Sequence, residues 1–146
     1  MNRRIFVGGG AAFLALITGA AAMTRRPINP FARDATYAPA YEITDPQRIV
    51  FVSGQVPEKD NVVPADFKSQ CRLAWANVEE QLKAANMTLA DIVKFTIFLS
   101  SRRFQQEEYE VRKEVLVTRA QPAMTIIITN IYDEAWLLEI EAIAAA

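Results

Sequence analysis

Between Phe67 and Leu99 the chain reads FKSQCRLAWANVEEQLKAANMTLADIVKFTIFL, and this stretch decides the fold class. Phe67, Cys71, Ala74, Val78, Leu82 and Ala85 recur at spacings of three and four, which places them on one stripe of a helix. Asp66, just ahead of the stripe, is a suitable N-cap, and Asn86, just past it, suits a left-handed stop. Thr88-Leu89-Ala90-Asp91 has the pattern of a capping turn, with an acid three residues after a hydroxyl. It leads into Ile92–Leu99, whose β-branched and aromatic residues predict a strand.

The flanks repeat these signals more weakly. Towards the N-terminus, Arg48 to Val56 reads as a buried strand and Tyr41 to Thr44 as a short first strand, with a turn at Asp45-Pro46-Gln47. Pro57 to Pro64 is a polar loop. Towards the C-terminus, the charged segment Arg103 to Val117 predicts a second helix, and Ala123–Ile131 and Trp136–Ala144 predict the last two strands. The order strand, strand, helix, strand, helix, strand, strand gives an α+β (mixed α/β) layer with helices on one face of a sheet. Ile126-Ile127-Ile128 is too apolar for a solvated sheet face and points to cover by a neighbour.

Ahead of the domain, residues 1–22 carry Arg3-Arg4, an apolar middle and the small residues Ala20-Ala21-Ala22, the parts of an export signal. Arg3-Arg4 before Ile5-Phe6-Val7 resembles a twin-arginine leader, although Asn2 and Gly8 depart from its commonest form. This predicts a periplasmic or exported protein. Two alternatives stand beside it: an uncleaved membrane anchor over residues 5–22, which is barely long enough to span, and a cytoplasmic protein whose start is misassigned. Residues 23–40, with Pro27, Pro30 and Pro39, read as a linker to a domain over 41–146.

Composition narrows the chemistry. The 146 residues are 51% hydrophobic, enough for one domain with a core. There is no histidine, which removes Ser-His-Asp triads, Cys-His pairs and HExxH zinc sites. Cys71 is the one cysteine, so no intrachain disulfide and no cysteine cluster for a metal is expected. A net charge of −1 without runs of like charge gives no nucleic-acid footprint. No cofactor and no metal are implied; carboxylates, tyrosines, lysines, hydroxyls and backbone amides must carry any chemistry.

Two distant segments carry a family resemblance. Val50-Phe51-Val52-Ser53-Gly54-Gln55-Val56-Pro57, and Gln121-Pro122-Ala123-Met124-Thr125 with Leu138–Ala144, together resemble the signature of the Rid family, the YjgF-type (RidA-like) reactive intermediate deaminases. The likeness runs from about Tyr37 to the C-terminus. It implies a chorismate-mutase-like Rid fold, a mixed sheet of five to six strands backed by two helices. It also implies a homotrimer with a small-molecule cleft at each subunit boundary.

The resemblance also assigns candidate residues. Glu139 stands fifteen positions after Met124, the family's spacing between its arginine and its catalytic-type glutamate. A desolvated carboxylate there suits a water-activating base; the plainer reading is that Glu139 and Glu141, which share a strand face, pair with nearby cations. Tyr37, in Tyr37-Ala38-Pro39-Ala40, matches a segment whose phenol closes the pocket, with Tyr41 as its rival and a simple subunit-edge contact as the bland option. Ser53, Gly54 and Gln55 correspond to the cleft floor, or to an ordinary bulge with Gln55 exposed. Asn77 reads as structural, and Arg102 and Arg103 as a solvated basic pair.

One departure weighs against the usual activity. Where deaminating relatives carry an arginine that grips the substrate carboxylate, this chain has Met124, followed by Thr125 and then Ile126 in place of a cysteine. A thioether supplies neither of the two charge-assisted hydrogen bonds of a guanidinium fork. Arg119 lies close in sequence, but nothing requires it to reach in. The expectation is a divergent imine or enamine deaminase-type hydrolase with little activity on 2-iminopropanoate-type acids. The alternative is a non-catalytic small-molecule-binding member, with membrane contact in either case only through the leader.

Overall fold

The computed structural model describes residues 22–30, 36–116 and 121–146. Its central element, α1 (Phe67–Ala84), starts where Asp66 accepts the Ser69 N–H at 3.0 Å. It stops where Asn86 takes a φ of 55° and the Met87 N–H donates to the Leu82 carbonyl at 2.8 Å. The next turn is the expected capping box: the Thr88 N–H donates to Asp91 Oδ2 at 2.8 Å and the Ala90 N–H to Thr88 Oγ1 at 3.2 Å. β4 (Ile92–Leu99) follows at once.

Four strands form the main sheet, in the order β3 (Ile49–Gln55), β6 (Leu138–Ala145), β4, β5 (Ala123–Ile128). β6 runs antiparallel to β3 and β4, while β4 and β5 are parallel. A parallel pair needs a crossover, and α2 (Gln105–Leu116) supplies it after a short 3₁₀ turn at Arg102–Phe104. The helices cover one face. Trp75, Val78 and Leu82 of α1 are buried in one core with Phe95, Ile97, Leu99, Leu138 and Ile140. Trp75 meets the Phe95 ring edge-on at 5.3 Å, and Phe67 stacks on Phe104 at 4.4 Å. Cys71 sits in this core, where burial pushes its thiol up and leaves it inert.

The strands do not form one sheet. β1 (Thr24–Ile28) and β2 (Ala40–Thr44) pair as a separate antiparallel ribbon, so the six described strands divide into two and four. β1 lies inside the segment expected as a linker. Its Thr-Arg-Arg-Pro-Ile sequence carries no apolar alternation, and its partners are far along the chain. Arg25 Nη1 reaches Asp91 Oδ1 at 2.8 Å, and Arg26 forks onto Glu42 Oε2 at 3.0 and 2.7 Å. Pro27 is tolerated because both strands of a ribbon are edges. The leader assigned to residues 1–22 falls outside the described residues except for Ala22, as does Arg119. Among the described residues, no helix is long and apolar enough to cross a membrane.

Candidate functional site

The main sheet has one face under helices and one without them, and the candidate residues are divided between the two. On β6, Leu138, Ile140 and Ala142 turn into the core, which turns Glu139 and Glu141 to the open face. There Glu139 lies beside Phe98 and Glu141 beside Thr96 in register. β3 contributes Phe51, 75% exposed, and Ser53. A cavity of about 260 Å³ on this face is lined by Phe51, Ser53, Lys94, Thr96, Glu141 and Ile143, with backbone beneath.

A β-bulge positions Glu139. Between the pairs Val52–Ala142 and Gln55–Ile140, β3 carries one residue more than β6, so Ser53-Gly54 bows out of the ladder. The Gln55 side-chain amide folds back and donates to the Ser53 carbonyl at 3.0 Å. Among the described residues no glycine has a positive φ, so Gly54 is not needed for backbone conformation. It is needed for space: a methyl on Gly54 would overlap Glu139 Oε1. The carboxylate therefore lies directly on the Gly54 backbone, beside the Ser53 segment.

Met124 and Ile126 belong to the other side. They pair with Phe95 and Ile97 and pack against the helix-covered core, whereas Thr125 pairs with Thr96 towards the open face. Between α2 and this side of β5 lies a cavity of about 530 Å³, walled by Met124, Ile126, Tyr37 and Tyr109 and rimmed by Arg102 and Arg103. Tyr37 arrives there because the Ala38 N–H donates to the Pro122 carbonyl at 3.0 Å and Ala38 bridges to Ala123. Tyr41 is instead on β2 beside Pro27, where burial raises its phenol despite the nearby Arg25.

A buried ion pair forms the back of this cavity. Arg112 Nε meets Glu108 Oε1 at 2.7 Å, both side chains nearly inaccessible, and Arg112 Nη1 donates to Thr36 Oγ1. The guanidinium lies 5.8 Å from the Tyr37 ring and 5.3 Å from Tyr109. A buried pair with several donors and acceptors fixes geometry more than it adds stability.

Within one copy the structure thus unites Ser53, Gly54 and Glu139, with Thr125 on the same face, and separately unites Tyr37, Met124 and Ile126. It does not bring Glu139 and Met124 together. Asn77 has the structural role expected of it, donating to the Val56 and Glu58 carbonyls at 2.9 and 3.1 Å. Sequence reasoning passed over Arg102 and Arg103 as lining residues. They are exposed, as anticipated, but the β4–α2–β5 crossover carries them to the mouth of the Met124 cavity, and no local pattern signals that. Among the described residues no cluster of three or more histidine, cysteine or acidic side chains could hold a metal ion.

Comparison with known proteins agrees with the fold. The sequence profile of the Endoribonuclease L-PSP family matches residues 28–146. The mitochondrial protein mmf2 of Schizosaccharomyces pombe is 32% identical over 127 residues, covering 84% of this chain and 99% of that protein. A TdcF protein of Escherichia coli, named for reactive intermediate deamination, is 39% identical over 54 residues, 36% of this chain and 42% of its own length. Among solved structures, a Rid-family protein of unknown function from Yersinia pestis has a TM-score of 0.69 at 26% identity, covering 84% of this chain and 98% of its own. E. coli TdcF with bound serine has a TM-score of 0.65 at 28% identity, covering 80% and 97%.

Proposed function

The chain belongs to the YjgF/Rid family and is related to the TdcF-type reactive intermediate deaminases, and from that premise we propose that it is a divergent imine or enamine hydrolase. The observation that carries the reading is the seat of Glu139, its carboxylate laid on the Gly54 backbone where any larger residue would displace it. A carboxylate held this way can take a proton from water as the hydroxyl adds to the C=N carbon. Returning that proton to nitrogen lets the carbinolamine collapse to a carbonyl and ammonia. RNA cleavage suits the chain less well, because it has no histidine and a net charge of −1.

The assembly we propose is a homotrimer with its clefts between subunits. An exposed Phe51 and an Ile127 that is 41% exposed make the open face unsuited to water. Glu139 and Met124, on opposite faces, share a cleft only if one copy's open face meets another copy's α2–β5 edge. With Met124 in place of a cation, small 2-imino acids lose a two-pronged grip, and at roughly 1.5–3 kcal/mol per charge-assisted bond their turnover falls by orders of magnitude. We further propose export through the residue 1–22 leader; the N-terminal sequence of the protein recovered from periplasm tests this. Membrane anchoring and a misassigned start are the outcomes that reject it.

One observation favours a second reading, a non-catalytic binding protein: Met124 and Ile126 pack against the core and give the α2–β5 cavity apolar walls. Imines generated in situ, with and without a carboxylate, separate the two. The hydrolase reading predicts turnover that drops about 10²–10⁴-fold in Glu139→Gln. Absence of any Glu139-dependent turnover favours the binding protein.

A further inference from the structure

The described arginines fall into two groups. Arg25, Arg26, Arg72 and Arg112 each meet a carboxylate, and Arg48 donates to the Ala85 carbonyl at 3.0 Å. Arg102 and Arg103 have no such partner among the described residues, and both lie on the rim of the α2–β5 cavity. Arg103 is held in place by its own neighbour, its guanidinium carbon 4.5 Å from the Phe104 ring centre. A guanidinium stacked by its face keeps its N–H edge for an anion. Deeper in, Met124 and Ile126 form an apolar wall with the Tyr109 ring also lining the cavity, while the Glu108–Arg112 pair, already joined to each other, closes the back.

The position of these cations matters as much as their charge. Leu99 pairs with Ile128, and Arg102 follows Leu99 by three residues. Ile128 is four residues along β5 from Met124, a span of about 13 Å at 3.3 Å per residue. The basic rim therefore lies towards the far end of the strand from Met124. A one- or two-carbon acid seated against Met124 cannot also place its carboxylate at that rim.

We propose that this cavity is an anion site in which Arg102 and Arg103 replace the cation missing at position 124, and that its ligand is an acid with a longer apolar or aromatic body. The carboxylate sits between the two guanidiniums, and the body lies along Ile126 towards Met124. The selection is for an acidic group remote from the reacting carbon, against the short 2-imino acids. This deepens the proposed function and rests on it only for the claim that the ligand is turned over.

Calorimetric titration of the full chain with 3-phenylpropionate, 3-phenylpropan-1-ol and acetate tests it. The expected result is binding of the phenyl acid at least about tenfold tighter than of the alcohol or of acetate. In Arg102→Ala/Arg103→Ala that preference for acid over alcohol disappears, with the alcohol's affinity unchanged, and Arg102→Lys/Arg103→Lys restores part of it. Both arginines are exposed, so a matched thermal melt is expected for each variant. Equal affinity for acid and alcohol, no measurable acid binding by the parent, or acid binding unaffected by the double alanine change each overturns the proposal. Arginine-dependent binding of the phenyl acid by a parent that turns over no imine leaves the anion site standing while the hydrolase reading falls. Glu139-dependent turnover by a parent whose acid binding ignores the arginines leaves the hydrolase standing and removes the anion site.

Discussion

The two faces of the four-stranded sheet differ in what completes them. The helix-covered face is finished within one chain: Trp75, Leu82, Phe95, Ile97, Leu99 and Ile140 are all fully buried or nearly so. The open face mixes Phe51 and Ile127 with Lys94, Glu139 and Glu141, and the helices pack on the opposite side. Adjacent side chains on a strand point to opposite faces. Glu139 and Met124 lie on opposite faces of this thin sheet, so one copy does not join them; the proposed homotrimer is the arrangement that would bring them into one cleft.

The largest effect that can break this comparison is loss of assembly. Phe51→Glu puts a charge on the open face, at the edge strand β3, and leaves the helix-side core untouched. Sedimentation should show the mass falling from trimer to monomer, with helical content retained. A trimer of unchanged mass would mean that the open face is not the contact.

A smaller effect sharpens the role of the bulge. Gly54→Ala adds one methyl where Glu139 Oε1 now lies, so the flexible carboxylate must swing away. Turnover is expected to drop at least about tenfold while the fold persists, because only the end of a side chain has to move. Unchanged turnover would remove Glu139 from the reaction.

The smallest effect concerns the ribbon that stands apart from both faces. Burial pushes the Asp91 carboxyl up, but hydrogen bonds from Thr88 and the Arg25 guanidinium outweigh it and hold the group below the ordinary carboxylate range. The stability this supplies is present above about pH 4 and is lost as pH falls through the lower folded value. Asp91→Asn should lower stability by about 1 kcal/mol at pH 7, a gap that denaturant melts should show closing below about pH 4. A gap that does not change with pH would assign the loss to packing instead of charge.

Local signals in the sequence identified the elements well. The α1 stripe, its Asp66 cap, its Asn86 stop and the Thr88–Asp91 turn depend on neighbours within a few residues, and all appear as expected. β1 did not show itself, because Arg25 and Arg26 find their partners at Asp91 and Glu42, which no local window contains. The site was legible in part. Alternation along β6 placed Glu139 and Glu141 on one face. That Met124 falls on the other face follows only from the β4–β5 register, and Arg102 and Arg103 become lining residues only through the α2 crossover.

The most direct test of the central claim is Met124→Arg beside the parent, assayed on 2-aminoacrylate generated in situ. Little turnover by the parent is expected and a gain of at least about tenfold in the variant, with the gain abolished by Glu139→Gln. Vigorous turnover by the parent, unaltered by the arginine, would contradict it.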